Sequence, residues 1–227
     1  MEETRERLSR IDDRLEDACR RAGRPREDVL LLAVVKKRPL ETVRQLYELG
    51  VTHLAENRVQ EARERIPQLP DGIAWHFVGP LQKNKAKYLP GLVQWVHSVE
   101  KLDVAEALQK AFAKRPELPP LEVLVQFNIA GEEQKHGAAR DEAAELVRAV
   151  SELDRLRVQG LMTMAPYSDD PEVSRPVFRK LRLLRDELQE RIGLPLPHLS
   201  MGMTNDFEVA VEEGATIVRI GTALFEG

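Results

Sequence analysis

A lysine stands where an apolar run of the sequence ends and a helical pattern begins. The run Val29–Val35 is rich in branched residues, and the basic segment Lys36–Pro39 follows it directly. Such a run is typical of a buried strand, and α/β folds keep their reactive groups at the C-terminal ends of strands. Lys36 is therefore a candidate for Schiff-base formation with a carbonyl compound. The alternative is a basic cluster in solvent, since lysines are mostly exposed.

Short apolar runs alternate with longer amphipathic segments, a pattern that predicts parallel strands covered by helices. A first helix is predicted from about Glu2 to Ala22, before the stop signals Gly23 and Pro25. Strands are predicted near 29–35, 52–55, 74–78, 94–98, 121–127, 157–163, 197–200 and 215–220. Helical segments are predicted near 39–49, 57–66, 81–89, 101–114, 139–153, 172–192, 204–213 and 222–226.

Eight strand–helix units predict an α/β fold, a single (β/α)8 TIM barrel with an extra N-terminal helix. The sequence has no Gly/Ser-rich linker or sharp break in composition, so we expect one domain over residues 1–227. A doubly wound sheet is the alternative.

Composition excludes several classes of function. No apolar stretch approaches the roughly 20 residues of a membrane helix, and the charged start Met1–Glu6 lacks the apolar core of a signal peptide. The net charge is −4 with both signs interspersed, which argues against nucleic-acid binding. A single cysteine, Cys19, indicates a reducing compartment. We therefore expect a cytoplasmic protein that binds neither membranes nor nucleic acid.

In a barrel, the residues just past each strand should face one mouth. Small and polar residues dominate this set, which suits a ligand that approaches the backbone closely and needs hydrogen-bond donors. The set comprises Lys36, Glu56-Asn57, Gly79-Pro80, Ser98, Asn128, Met164-Ala165-Pro166, Ser200-Met201-Gly202 and Gly221-Thr222.

The loops after the last two predicted strands indicate a phosphate site. In barrels these loops and a helix N-terminus commonly hold phosphate, because unpaired N–H groups and the helix dipole favour an anion. Gly221 lets a phosphate oxygen approach the backbone, and the hydroxyls of Ser200 and Thr222 can donate hydrogen bonds. The alternative is that Gly202 and Gly221 serve turns and that Thr204 caps a helix.

An aldehyde that carries a phosphate would satisfy both ends of this site, and several segments resemble one family that binds such a ligand, the pyridoxal phosphate homeostasis proteins. The resemblance extends over nearly the whole chain, in order and at matching spacing. It rests on the segments Ala33–Lys36, Glu56–Glu61, Trp75–Lys85, Leu199–Met203 and Val218–Ala223. That family is similar to the barrel domain of alanine racemase without its second domain, and it binds pyridoxal 5′-phosphate (PLP) without an established catalytic activity.

The resemblance implies a role for each matching residue. Lys36 would form the Schiff base, Arg219 would face the pyridine nitrogen, and Asn57 would line the ring. The phosphate would be held by Ser200, Gly221 and Thr222. Arginine is always protonated, so Arg219 can donate a hydrogen bond to the ring nitrogen but cannot protonate it, and the ring stays a weak electron sink. The alternative for Arg219 is a structural ion pair at the rim.

The sequence departs from the family pattern at several positions. Val35 stands where the family has serine, Ala55 and Arg58 flank Glu56-Asn57 where the family has glycine and tyrosine, and Lys83 replaces a usual serine. Near the phosphate site, Thr204-Asn205-Asp206 takes the place of an acidic pair. None of these departures touches the residues expected to bind the cofactor, so the prediction of PLP stands.

The resemblance implies a non-catalytic carrier and buffer of PLP, a monomer that supplies apoenzymes. The alternative is an amino-acid racemase with Lys36 as a base. Racemisation needs a base on each face of the substrate, and Tyr47, Tyr88 and Tyr167 have no context that matches the second base of alanine racemase. A class I aldolase would use the same lysine but explains Arg219 poorly. The histidines show no metal-ligand spacing, so we expect no metal site.

Overall fold

The computed structural model describes residues 1–131, 136–139 and 142–226. Its centre is a closed barrel in which each strand pairs in parallel with the next, and β1 pairs with β8. The predicted (β/α)8 barrel is therefore confirmed. The strands are β1 Leu30–Val34, β2 His53–Glu56, β3 Ala74–Phe77, β4 Trp95–Val99, β5 Leu121–Gln126, β6 Leu156–Met162, β7 His198–Ser200 and β8 Ile217–Ile220.

Helices surround the barrel, and the predicted N-terminal helix is among them. The α-helices are α1 Glu2–Arg21, α2 Leu40–Glu48, α3 Val59–Arg65, α4 Leu102–Ala113, α5 Ala143–Ser151, α6 Arg175–Ile192, α7 Phe207–Glu212 and α8 Thr222–Phe225. The helix predicted near 81–89 is instead a 3₁₀ helix, Lys83–Tyr88, in a short stretch that Pro80 and Pro90 bound. Residues 140–141 of the segment predicted near 139–153 lie outside the described residues.

Strand alternation divides the apolar side chains into two layers. Successive side chains of a strand point to opposite faces, so one set packs between the barrel and the helices and the other fills the barrel. The outer layer includes Leu54 and Phe77 and continues to the buried face of α1. The inner apolar cluster consists of Leu32, Ala55, Leu124, Met162 and Ile217.

The interior of the barrel is not wholly apolar. Positions two residues from the inner cluster, such as His53 beside Ala55 and Arg219 beside Ile217, carry polar side chains. His76, His97, Ser200 and Arg219 are all buried. Across the described part of the chain, every helix is too short or too polar to cross a bilayer.

Candidate functional site

A cavity of about 340 Å³ opens at the C-terminal end of the barrel. Its volume lies at the lower end of the range for small-molecule sites. A wider groove of about 780 Å³ lies beside α1 near the other end of the barrel, but ligands of such barrels bind at the C-terminal mouth. The cavity is lined by Val34, Lys36, Asn57, Val78, Gly79, Pro80, Met164, Pro166, Tyr167, Ser168, Met203, Thr204, Asn205, Asp206, Arg219, Gly221 and Thr222.

Lys36 lines this cavity from a tight turn after β1. The Arg38 N–H donates to the Val35 carbonyl at 3.1 Å, so Lys36 and Lys37 are the central residues of the turn. Lys37 has φ of +59°, a left-handed conformation that costs a side-chain-bearing residue about 1–2 kcal/mol. Strain of this kind persists where the surrounding structure imposes it, and it is common at functional sites. The turn leaves the Lys36 side chain exposed at the cavity.

Arg219 reaches the same cavity from inside the barrel. Its Nη1 donates to Ser200 Oγ at 2.8 Å, and its Nη2 donates to the Thr163 carbonyl at 3.0 Å. Burial lowers the pKa of Arg219 to about 10, and the charge of Asp206 opposes this shift. Arg219 stays protonated at neutral pH. Among the described residues it forms no ion pair within 4.0 Å, so its two hydrogen bonds are to neutral acceptors.

The loops after β7 and β8 form the polar end of the cavity. Thr204 and Thr222 bring hydroxyls, and Thr204 Oγ1 also accepts a hydrogen bond from the Ala223 N–H at 3.3 Å. Helix α8 has only 4 residues, so its dipole is small and direct donors must do most of the binding. Gly221 leaves open the space in front of its backbone. Its φ of −123° lies outside the left-handed region that favours glycine. A Cβ built at Gly221 would lie 3.5 Å from its nearest neighbour, the Val34 carbonyl oxygen, which is an ordinary contact.

Five of the six residues predicted to bind a cofactor line the cavity together: Lys36, Asn57, Arg219, Gly221 and Thr222. The sequence predicts that Ser200 contacts the phosphate of the ligand directly, whereas the structure places its side chain away from the cavity. Ser200 is fully buried and lies outside the cavity wall, and its hydroxyl contacts His97 and Arg219. Ser200 therefore lies behind Arg219 instead of beside the open space.

Two other residues predicted at the mouth point away from it. Glu56 and Ser98 each follow an inward-facing residue, Ala55 and His97, so strand alternation turns them outward. Glu56 lies 3.2 Å from Arg65 of α3. Burial raises the pKa of Glu56 to about 7, and the charge of Arg65 opposes this shift. Glu56 is therefore a buried structural carboxyl group.

The structure shows cavity residues to which the sequence assigns another role or none in binding. The sequence offers Thr204 as a helix cap, although its position after the glycine of the β7 loop is a signal for the cavity. Tyr167 lines the mouth with a side chain that is 80% exposed, and its hydroxyl donates to Asp169 at 3.3 Å. Nothing in the local sequence distinguishes Tyr167 from an ordinary loop residue. Val34 and Met164 supply apolar wall.

Comparison with known proteins identifies relatives of this chain. Residues 7–227 match the family model described as "Alanine racemase, N-terminal domain". The chain is 48% identical over 221 residues to the pyridoxal phosphate homeostasis protein of Aquifex aeolicus, covering 97% of this chain and 96% of the relative. It is also similar to the solved structure of PipY from Synechococcus elongatus with PLP bound. That match has a TM-score of 0.82 and 32% identity, and covers 98% of this chain and 99% of the other.

A more distant likeness shows the fold alone. Alanine racemase of Clostridium difficile aligns with a TM-score of 0.77 at 15% identity, covering 99% of this chain and 56% of the racemase. The near relatives and the family model together show that this chain belongs to the pyridoxal phosphate homeostasis proteins, within the alanine racemase N-terminal domain family.

Proposed function

We propose that this protein binds PLP in the cavity at the barrel mouth and acts as a carrier and buffer of the cofactor. One observation carries the proposal: Lys36 and the buried cation of Arg219 line the same cavity. The N–H donors of a buried cation need acceptors, and a ligand with a ring nitrogen and an anionic group would bring an acceptor to Arg219 and a counter-charge to the same cavity. The names of the near relatives and the PLP-bound PipY structure support the identity of that ligand.

The chemical groups of the cavity fit each part of PLP. When bound, the cofactor supplies an aldehyde that condenses reversibly with an amine and releases water. The amine of Lys36 is the group for that reaction, and Arg219 has further N–H donors for the ring nitrogen. Val34 and Met164 offer apolar surface for the ring. The space in front of Gly221, with the hydroxyls of Thr204 and Thr222, suits the phosphate.

The same residues favour a carrier function over a catalytic one. Arg219 can only donate to the ring nitrogen, so the protein withholds the proton that makes PLP a strong electron sink. Lys36 is exposed at the mouth, which leaves the bound aldehyde accessible for exchange. We infer that the chain, as one domain over residues 1–227, works as a cytosolic monomer that limits free PLP and supplies apoenzymes.

Tyr167 is the one observation that favours the racemase alternative, because it lines the cavity with Lys36. Its exposure and its bond to Asp169 leave it outside the closed environment in which a second base would act. The PLP-loaded protein, incubated with L- and D-amino acids in heavy water, separates the two functions. Exchange of the α-proton that is lost in Tyr167→Phe would support a racemase, and a carrier shows neither exchange nor inversion.

Covalent trapping tests the carrier proposal directly. Borohydride reduction of the PLP-loaded protein fixes the cofactor to its lysine, and peptide mass spectrometry then locates it. We expect the adduct on Lys36 and none in Lys36→Ala. Lys37→Ala is the matched control, since it changes the neighbouring amine and should keep the adduct. An adduct on Lys37, or an unmodified protein at saturating PLP, would contradict the proposal.

A further inference from the structure

A chain of hydrogen bonds runs through the barrel interior and ends at Arg219. His53 Nδ1 lies 3.0 Å from His76 Nε2, and His76 Nδ1 lies 2.9 Å from His97 Nε2. His97 Nδ1 then lies 3.0 Å from Ser200 Oγ, which accepts from Arg219 Nη1 at 2.8 Å. The four links connect strands β2, β3, β4, β7 and β8. The proposed function assigns no role to these histidines.

All three imidazoles in the chain are neutral. Burial lowers the pKa of His53, and it lowers the pKa of His76 and His97 well below the usual range. The charge of Arg219 acts in the same direction on the pKa of His97. A neutral imidazole has one nitrogen that donates and one that accepts. The protons of the chain must therefore all point toward Arg219 or all point away from it.

Ser200 decides between these two directions. Within the described residues its hydroxyl has two partners, and one of them, Arg219, can only donate to it. If His97 also donated to Ser200, the hydroxyl proton would be buried without an acceptor, which is costly. If Ser200 donates to His97 Nδ1, every link of the chain has one donor and one acceptor. His97 Nε2–H then donates to His76 Nδ1, and His76 Nε2–H donates to His53 Nδ1.

We propose that His53, His76 and His97 form a polarised chain that fixes the Arg219 guanidinium through Ser200, with the proton of all three imidazoles on Nε2. His97 is the main positioning residue, since it accepts the proton that lets Ser200 receive the bond from Arg219. The chain thereby holds the planar guanidinium at one orientation toward the cavity. The proposal rests on the proposed function only for the identity of the ligand group that Arg219 faces. The positions of the protons follow from contacts within the unloaded protein.

Nitrogen NMR of the unloaded protein tests the direction of the chain. In protein labelled with ¹⁵N-histidine, His76 and His97 should each show a protonated, pyrrole-type Nε2 and an unprotonated, pyridine-type Nδ1. Signals are assigned by their loss in single variants. A proton on Nδ1 of either residue, or on both nitrogens, overturns the proposal. Since no PLP is present, this result is independent of whether the protein binds the cofactor.

A pair of variants at His97 tests the positioning role. In His97→Asn the amide oxygen takes the place of Nδ1 and can accept from Ser200, whereas in His97→Leu no acceptor remains; both variants break the link to His76. In ¹⁵N-arginine-labelled protein, the two Nη groups of Arg219 should give separate signals in wild type and in His97→Asn. They should merge in His97→Leu, because the guanidinium then rotates.

His198→Asn is the matched control. His198 is half-buried in the same barrel and pairs with Thr216, outside the chain, so its loss should leave the Arg219 signals separate. Separate signals in His97→Leu, or merged signals in His198→Asn, would overturn the positioning role. Thermal unfolding of each variant checks that it is folded, and the wild-type tautomers decide the proposal if His97→Leu does not fold.

Discussion

Gly221 provides a sharp test of the cavity, because its lack of a side chain serves no visible need of the fold. A Cβ built at Gly221 would lie 3.5 Å from the Val34 carbonyl oxygen and 3.6 Å from Val34 Cβ, which are ordinary contacts. Its φ of −123° is negative, so Gly221 does not have the left-handed conformation that favours glycine. Gly221→Ala should therefore fold, with a stability within about 1 kcal/mol of that of wild type.

The affinity of Gly221→Ala for PLP should fall, although the variant folds. The added methyl group would occupy the space in front of the Gly221 backbone, where the phosphate is proposed to lie. A hydrogen bond to a charged group contributes about 1.5–3 kcal/mol, and each 1.4 kcal/mol corresponds to roughly tenfold in affinity. Loss of one such bond should raise the Kd for PLP about 10- to 150-fold.

The comparison of PLP with pyridoxal, which lacks the phosphate, locates the effect. Kd values are measured by absorbance titration of wild type and Gly221→Ala. We expect a weaker affinity for PLP and an unchanged affinity for pyridoxal. Equal weakening for both ligands would place the methyl group against the ring, and unchanged affinity for both would show that the phosphate binds elsewhere. Either result refutes the assignment of Gly221.

Two other glycines act as controls for the stability argument. A Cβ at Gly79 would lie 1.9 Å from the Asn57 carbonyl oxygen, and one at Gly202 would lie 2.6 Å from Ala210 Cβ with φ at +92°. Neither position can accept alanine without a shift of the backbone or core. Gly79→Ala and Gly202→Ala should each lose about 1–3 kcal/mol of stability in urea unfolding. Stable variants at these positions would undermine the contrast with Gly221.

The remaining predictions concern the lysine turn and Glu56. Lys36→Ala should lose the visible absorbance of the lysine-bound aldehyde while its thermal unfolding stays unchanged, and a persistent band would identify another lysine. At Lys37, whose φ is +59°, glycine should relieve a strain of about 1–2 kcal/mol and be at least as stable as wild type in urea unfolding, whereas the β-branched valine should be less stable than both; equal stabilities would argue against the strained turn. The pKa of Glu56 is raised to about 7 by burial, so its contribution to stability should be fully present below its unfolded pKa and should be lost, by about 3 kcal/mol, as pH rises through 7. Glu56→Gln should flatten this slope, and a slope that persists would assign it to other groups.

Much of the fold follows from the sequence because each unit is strongly patterned. The run that became β1 is continuous and rich in branched residues, as a strand buried on both faces requires. The predicted bounds of β1 and β5 lie within a residue of the observed ones. Closure of the barrel follows from the number of such units. The segment Lys83–Tyr88 is less determined, since a short lysine-rich stretch between prolines satisfies either helical geometry.

The candidate site was harder to predict. The sequence shows which residues follow a strand, but it does not show how deep in the barrel each side chain lies. Ser200 ends β7, yet its neighbour in register is Ile217, and Arg219 lies two residues farther toward the mouth. Strand tilt and stagger set this offset, and no local pattern in the sequence encodes them. The hydroxyl of Ser200 consequently reaches Arg219 from below, and the residues at the mouth meet the ligand. A side chain one level down can still decide binding if it fixes the group above it. The chain from His53 to Ser200 therefore belongs to the site, because it reaches Arg219, although none of its own four residues lines the cavity.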